Sequence, residues 1–187
     1  MSQITKIVFI SGGILLSVLL MVFIVKTLED SKLSEVPKDW IEKKCEDFTF
    51  KIPPHLIDKS WNSSNFTFTS SDEYFEVTID YQEDFTNCTS IRGYVALRPD
   101  LIEYIAEDDK FNYSEDCKLL SYNFSTIGGI EAIKMIESFL SDKGKEILME
   151  SYLISQNGYL ARIRFLYSDN HKRLKERIYR TFIFIKE

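Results

Sequence analysis

The sequence is poor in the side chains that most often carry out catalysis or bind metals. Among its 187 residues there are only two histidines, His55 and His171, and three cysteines. Zinc sites need short paired spacings, which Cys45, Cys88 and Cys117 do not provide. A thiol–imidazole pair is equally unsupported, because neither histidine has a recognisable catalytic context. We therefore expect no bound metal, no cofactor and no enzymatic activity.

Glycine, proline and positive charge are also scarce. Seven glycines and four prolines exclude collagen-like and low-complexity segments, and no internal repeat is present. The formal net charge is −6. A general nucleic-acid-binding protein needs a clustered excess of Lys and Arg to neutralise phosphates. We expect no nucleic-acid partner, and the sequence indicates no particular small-molecule ligand.

One long stretch near the N-terminus lacks charge altogether. Residues 7–25 are apolar apart from two serines and are bracketed by Lys6 and Lys26. As a helix they would extend roughly 28 Å at ~1.5 Å per residue, close to the ~30 Å hydrocarbon thickness of a bilayer. The run is not followed by the small residues of a signal-peptide cleavage site. We predict a short tail over 1–6, a transmembrane helix over 7–25 that contacts the lipid bilayer, and a polar connector over 26–44.

The asparagines bear on the side of the membrane that the main domain occupies. Five of seven fit the glycosylation pattern N-x-[ST]: Asn62, Asn65, Asn87, Asn112 and Asn123. This excess favours a main domain on the non-cytosolic side, although a protein that never meets the glycosylation machinery would leave these sites unused. Outside the cytosol a disulfide could form, and Cys45–Cys117 and Cys88–Cys117 both remain open.

The strongest structural signal is Asn157-Gly158, which lies between two runs of alternating apolar residues. This dipeptide favours a two-residue hairpin turn, because both turn positions need positive φ. The turn fixes a register that pairs Gln156 with Tyr159, Ile154 with Ala161, Tyr152 with Ile163, and Leu148 with Tyr167. The same apolar face carries Glu150 opposite Phe165, and we expect Glu150 at the sheet edge, where its charge is solvated.

The remaining elements follow from hydrophobic periodicity. Alternating residues predict a strand over 48–52, a hairpin from 66–69 and 74–81, and a strand over 119–124. Leu97, Leu101, Ile102, Ile105 and Ala106 predict a helix over 94–111. An apolar stripe of Leu174, Ile178, Phe182 and Ile185 predicts an amphipathic closing helix over 170–185.

These residues carry a resemblance to a known family. Phe48-Thr-Phe-Lys-Ile-Pro-Pro is followed by Trp61, by Gly128-Gly129 at the entry to a strand, and by a three-strand meander. With a closing helix that ends Thr181-Phe-Ile-Phe, residues 45–187 resemble the PsbP-like superfamily, which includes PsbP, DcrB-type proteins and a Ran-GTPase release factor. The resemblance implies an α+β domain, with an antiparallel sheet flanked by helices, that acts by binding rather than by catalysis.

Two groups of cations are the candidate partner-binding residues. Arg162 and Arg164 share the mixed face of the hairpin, where they could pair with Glu131 or Glu137 or form an anion-binding patch. The closing helix presents cations that are either a solvated face or a docking surface for an acidic partner or lipid headgroups: Lys172, Arg173, Lys175 and Arg177.

Three functions are compatible with this pattern. The leading hypothesis is a non-enzymatic, single-pass membrane-anchored binding or assembly subunit of a membrane protein complex. A glycosylated extracellular or lumenal surface protein is the second. The third is a hydrolase with a carboxylate or Cys–His site, which requires His55 or His171 beside a cysteine or carboxylate in a concave pocket.

Overall fold

The computed structural model describes residues 17–24, 36–61, 65–83, 88–156 and 159–185. The chain divides into two compact units, Met1–Pro37 and Lys38–Glu187. In the first unit residues 17–24 are helical. The rest of the predicted membrane helix, the predicted tail over 1–6 and most of the connector lie outside the described residues. Within the described ranges, no helix is both long and apolar enough to cross a membrane.

The second unit is built on a seven-stranded antiparallel sheet. Its strand order is β3-β4-β5-β9-β8-β7-β6. The strands are β3 (Ile57–Asp58), β4 (Asn65–Thr69), β5 (Phe75–Glu83), β6 (Lys118–Ile127), β7 (Ile130–Leu140), β8 (Glu146–Gln156) and β9 (Tyr159–Tyr167). All strands from β6 to β9 are joined in chain order, so this half of the sheet is a meander.

The predicted hairpin register is confirmed. Residues of β8 and β9 pair as expected, including Tyr152 with Ile163 and Glu150 with Phe165. The turn residues Asn157 and Gly158 themselves lie outside the described residues. Because side chains alternate strictly along a strand, this register places Ile154, Ile163 and Phe165 on one face of the sheet.

That apolar face is covered by a small second sheet and a helix. The second sheet consists of β1 (Ile41–Lys44), β2 (Phe48–Ile52) and β10 (Ile183–Phe184), in the order β1-β2-β10. The helix is α3 (Lys172–Arg180), which follows a 3₁₀ turn at Asp169–His171. Between these layers lies an aromatic core in which the rings of Phe50 and Phe182 stack 4.7 Å apart.

Two boundaries differ from the sequence predictions in this layer. The closing helix stops at Arg180 instead of continuing to 185, because Phe182 enters the core and residues 183–184 pair with β2. The Thr181 hydroxyl stabilises this exit: its oxygen accepts a hydrogen bond from the Lys51 amide at 2.8 Å. Residues 41–44, predicted as connector, form β1 against β2, and the compact unit begins at Lys38.

The opposite face of the sheet is partly covered by two helices, α1 (Ile91–Leu97) and α2 (Leu101–Asn112). The prediction of one helix over 94–111 is wrong. Pro99 disfavours helical geometry at Arg98, whose backbone has φ −128° and ψ 71°. The two short helices pack on a second apolar cluster that includes Met135 and Leu153 of the sheet. The α+β class, with an antiparallel sheet between helical layers, is confirmed.

Candidate functional site

The sheet is wider than the helical layer of α1 and α2. Beside α2 the polar side of β4, β5 and β9 remains open, which leaves a groove of about 910 Å³. Its sheet floor includes Asn65, Asp80, Leu160, Arg162 and Arg164. Its helical wall includes Arg98, Leu101, Tyr104, Ile105, Asp108 and Tyr113. The groove therefore combines apolar, aromatic and charged side chains.

Arg162 joins the floor of the groove to the helical wall. Its Nη1 donates to Oδ1 of Asp109 at 2.9 Å, and its Nη2 donates to Oδ2 of the same carboxylate. Nη2 also donates to the Ser151 hydroxyl at 3.0 Å. Asp109 is fully buried on the inner side of α2. This two-pronged contact fixes the helix against the sheet, because guanidinium and carboxylate geometries match.

The predicted partners of Arg162 were only partly right. Glu137 lies near the guanidinium, with Oε2 3.8 Å from Nη2, but Asp109 makes the direct contact. Glu131 instead accepts a hydrogen bond from Arg92 of α1 at 2.7 Å. The difference arises because α2 brings a carboxylate from a distant part of the chain directly over β9.

Arg164 is held in a similar way on the same strand. Its Nη1 donates to the Tyr113 hydroxyl at 2.5 Å, and its Nη2 donates to the Asp80 carboxylate. Asn65 donates its side-chain amide to the same carboxylate. Burial alone would lower the pKa of Arg164, but the nearby Tyr113 and Asp80 raise it above its ordinary value. Both groove arginines are thus neutralised internally, and a free anion would have to compete with a fixed carboxylate.

Glu137 is the unusual acid beneath the helix. It is completely buried, and neither carboxylate oxygen has a hydrogen-bond partner among the described residues. Burial and the nearby negative charge of Asp109 raise the pKa of Glu137 to about 8, against the attraction of Arg162. A proton on Glu137 would allow it to donate to Asp109, so that the two acids share one negative charge next to Arg162.

The rim of the groove is aromatic and exposed. Tyr104 leaves 61% of its surface open to solvent. The Arg98 guanidinium lies 5.9 Å from its ring centre and is paired with Asp100 at 3.2 Å. Leu160 and Ile105 supply apolar surface deeper in the groove. Such a lining suits stacking and hydrogen bonding, and no histidine or cysteine is among the described residues that form it.

On the other face of the sheet, Glu150 is not at an edge as predicted but buried in an ion-pair network. Lys175 of α3 donates to its Oε2 at 2.6 Å, and Lys134 lies 2.7 Å from the same oxygen. Tyr167 donates to Oε1 and Tyr152 to Oε2. Burial alone would raise the pKa of Glu150, but the charge of Lys175 and the hydrogen bonds from Lys134, Lys175 and Tyr167 lower it to about 2.

This network corrects the interpretation of the closing helix. Lys175 is only 1% exposed, so it belongs to the interior and not to a solvated basic face. Lys172 and Arg173 are exposed, and Arg177 is half-buried. The candidate surface for an acidic partner or a lipid headgroup is reduced accordingly.

The other sequence candidates are dispersed over the molecule. All three cysteines are held as thiols, with Cys45 and Cys117 buried; burial and nearby carboxylates raise the pKa of Cys117 to about 12. Of the sequons, Asn62 and Asn87 lie outside the described residues. Asn112 and Asn123 are exposed, whereas Asn65 is half-buried in the groove.

The two histidines lie in different surroundings. His55 is exposed. Nε2 of His171 lies 3.5 Å from Oδ2 of Asp72, and Nδ1 of His171 lies 3.2 Å from the Ser168 hydroxyl. Ser168 is buried, so its hydroxyl is not presented to a substrate. Among the residues that the structure describes, no group of three or more His, Cys, Asp or Glu side chains is placed to hold a metal ion.

Comparisons with known proteins identify the fold. No protein-family model and no curated protein matches the sequence. The structure is similar to that of cyanobacterial PsbP (CyanoP) from Synechocystis sp. PCC 6803, with a TM-score of 0.55 at 10% identity over 80% of this chain and 95% of that one. The PsbP-like fold implied by the resemblance is therefore confirmed, and at this identity the similarity concerns the fold alone.

Two further solved structures match less well. A protein from Bacteroides thetaiotaomicron VPI-5482 has a TM-score of 0.48 at 15% identity over 75% of this chain and 46% of that one. This chain therefore spans less than half of the Bacteroides protein. LpqN, described as involved in cell envelope biogenesis of Mycobacterium tuberculosis, has a TM-score of 0.41 at 11% identity over 81% and 82% of the two chains.

Sequence reasoning missed Asp109, because it belongs to the acidic run Glu107-Asp108-Asp109, a pattern typical of solvated surface. A signal for it exists. Asp109 follows Ile102 by seven residues and Ile105 by four, so helical periodicity places it on the buried stripe of α2. A carboxylate on such a stripe requires a cation, and the mixed face of the hairpin offers two arginines.

Proposed function

We propose that this chain is a non-enzymatic, single-pass membrane-anchored binding subunit of a membrane protein complex and a member of the PsbP-like superfamily. Residues 7–25 would provide the anchor, and the domain over Lys38–Glu187 would lie on the non-cytosolic side. The observation that carries this proposal is the open groove beside α2, whose arginines are already paired and whose rim exposes Tyr104.

The composition of the groove fits a polypeptide partner. Tyrosine and arginine are enriched among the interface residues that contribute most of the binding energy. Such residues lie in well-packed pockets from which water is excluded. The groove has this character, with Tyr104 and Arg98 at the rim and Leu160 on the floor. The ion pairs of Arg162 and Arg164 fix its shape before a partner arrives, which lowers the entropy lost on binding. A segment of another subunit is therefore the expected occupant.

Site-specific photocrosslinking of the full chain in its native membrane tests this proposal. A photoreactive amino acid at Tyr104 should give one discrete adduct with a membrane protein. The matched control is the same amino acid at Ile183, which is exposed on β10 of the second sheet, outside the lining of the groove, and should give no such adduct. Adding Leu160→Glu to the Tyr104 variant should abolish the adduct, because it buries a charge under the partner.

Two outcomes would contradict the groove as the binding site: equal labelling from Tyr104 and Ile183, or an adduct that survives Leu160→Glu. Sidedness is tested separately by protease treatment of sealed membranes. Digestion of the domain from the cytosolic side would contradict the proposed topology while leaving the groove untouched.

A further inference from the structure

The two edge strands of the large sheet differ in length and in charge. Edge strand β3 is only two residues long, Ile57–Asp58, and it follows Pro53-Pro54. Edge strand β6 runs over ten residues, Lys118–Ile127, and Lys118 is its only charged residue. Within the described ranges no strand pairs with the outer side of β6. A long edge strand with few charges is a template for another strand, and most proteins shorten or charge such edges to prevent this pairing.

Only a short part of this edge has regular backbone that can pair with another strand. At one end the pairing of β6 with β7 shifts between Leu119 and Ser121, which marks a bulge. At the other end the carbonyl of Thr126 accepts a hydrogen bond from the Tyr179 hydroxyl at 2.6 Å. Regular strand backbone without such interruptions is therefore left over residues 121–125.

The side chains of this window expose aromatic surface. Tyr122 is 61% exposed and Phe124 45% exposed, although the Arg92 guanidinium lies 4.0 Å from the Phe124 ring centre. Both lie opposite Met135 and Ile133 of β7, so they share the face that α1 and α2 cover elsewhere. The helical layer stops short of them.

The window reads Ser-Tyr-Asn-Phe-Ser, which is nearly the same in both directions. We propose that β6 is a self-association edge, at which a second copy of this chain adds its own β6 antiparallel about a two-fold axis through Asn123. Tyr122 then lies opposite Phe124 of the second copy, and the pair occurs twice. Ser121 lies opposite Ser125 of the second copy, and again the pair is repeated.

Three features favour a second copy over an unrelated strand. A two-fold interface must be self-complementary, and an edge with this near-symmetric sequence meets that condition. Aromatic residues directly opposite each other across antiparallel strands stabilise the pairing. No like charges meet, because Lys118 falls opposite Gly128 of the second copy, beyond the window. Such an edge is much smaller than the ~1,600 Å² of a standard stable interface, so the dimer should depend on concentration.

Cysteine crosslinking of the full chain in its membrane tests the register. In Asn123→Cys the two new cysteines face each other at about 5 Å between Cα atoms, within the range of a disulfide. Mild oxidation should trap a covalent dimer. Ser121→Cys is the matched control, because its two copies would be roughly 13 Å apart, four residues at ~3.3 Å each. The double variant Ser121→Cys/Ser125→Cys should restore the crosslink. The wild-type chain reports any background from its native cysteines.

Several results would overturn the proposal. No dimer from Asn123→Cys, or an equally strong one from Ser121→Cys, would exclude this pairing. Crosslinking of Asn123→Cys to a different polypeptide would assign the edge to a heterologous strand. A glycan on Asn123 of the native chain would lie on the two-fold axis and would also exclude it. Adding Tyr122→Lys to Asn123→Cys should reduce the dimer at least tenfold.

Discussion

The contact between Arg162 and Asp109 offers the sharpest test of how the groove is held. Asp109→Ala removes a fully buried carboxylate and leaves the Arg162 side chain, which is only 13% exposed, without its main partner. Removing one member of a buried ion pair typically costs about 3–5 kcal/mol of unfolding free energy. Glu137, with an oxygen 3.8 Å from the same guanidinium, can ionise and replace the lost charge. We therefore expect a loss near the lower limit, about 3 kcal/mol.

The assay is chemical denaturation of the full chain in detergent, followed by the fluorescence of Trp40, which packs against the core. Asp108→Ala is the control, because Asp108 is exposed and its side chain accepts a hydrogen bond from Asn112 of the same helix. It should change the unfolding free energy by less than about 0.5 kcal/mol. The double variant Asp109→Leu/Arg162→Met should recover most of the unfolding free energy that Asp109→Ala loses, because neither charge is then buried without its partner.

The reasoning is refuted if Asp109→Ala costs less than about 1 kcal/mol, the value of an exposed ion pair. It is also refuted if the double replacement is less stable than Asp109→Ala alone. Either result would show that α2 is held by its apolar contacts and that the ion pair contributes little.

Three further predictions use the same denaturation assay. The pKa of Glu137 is about 8 in the folded state, against an ordinary value of 4.5. Between these values the folded state binds more protons than the unfolded state, so the unfolding free energy should fall from pH 5 to 8, by up to ~1.4 kcal/mol per pH unit. Glu137→Gln should flatten this dependence, and an unchanged slope would contradict the raised pKa. Lys175→Met leaves Glu150 buried with Lys134 as its remaining cation and should cost about 3 kcal/mol, whereas a neutral effect would show that Lys134 suffices. Gly128→Ala should cost more than Gly129→Ala: both have positive φ, but only at Gly128 would the new Cβ meet backbone, 3.0 Å from a nitrogen of β10. Equal losses would contradict that distinction.

Local patterns determined much of the fold. The register of β8 and β9 followed from the spacing around one Asn-Gly turn, because side chains alternate with a period of two and a shift by one residue would expose the apolar face. The break between α1 and α2 had a local cause as well, in Pro99, but the apolar periodicity continued across it and concealed it. Phe182 illustrates a different error. It has helical spacing from Leu174 and Ile178, but it lies beyond the end of the helix, in the segment that enters the aromatic core.

The sequence by itself determined the class of the domain and which apolar residues of the hairpin face its core, since both depend on neighbours within a few positions. Only the tertiary structure decided which charges meet. Asp109 and Arg162 are 53 residues apart, and Glu150 and Lys175 are 25 apart. Each pair forms because packing places a helix over a particular strand, and burial then requires an opposite charge to compensate. The groove has the same origin, because it exists where the helical layer ends before the sheet does.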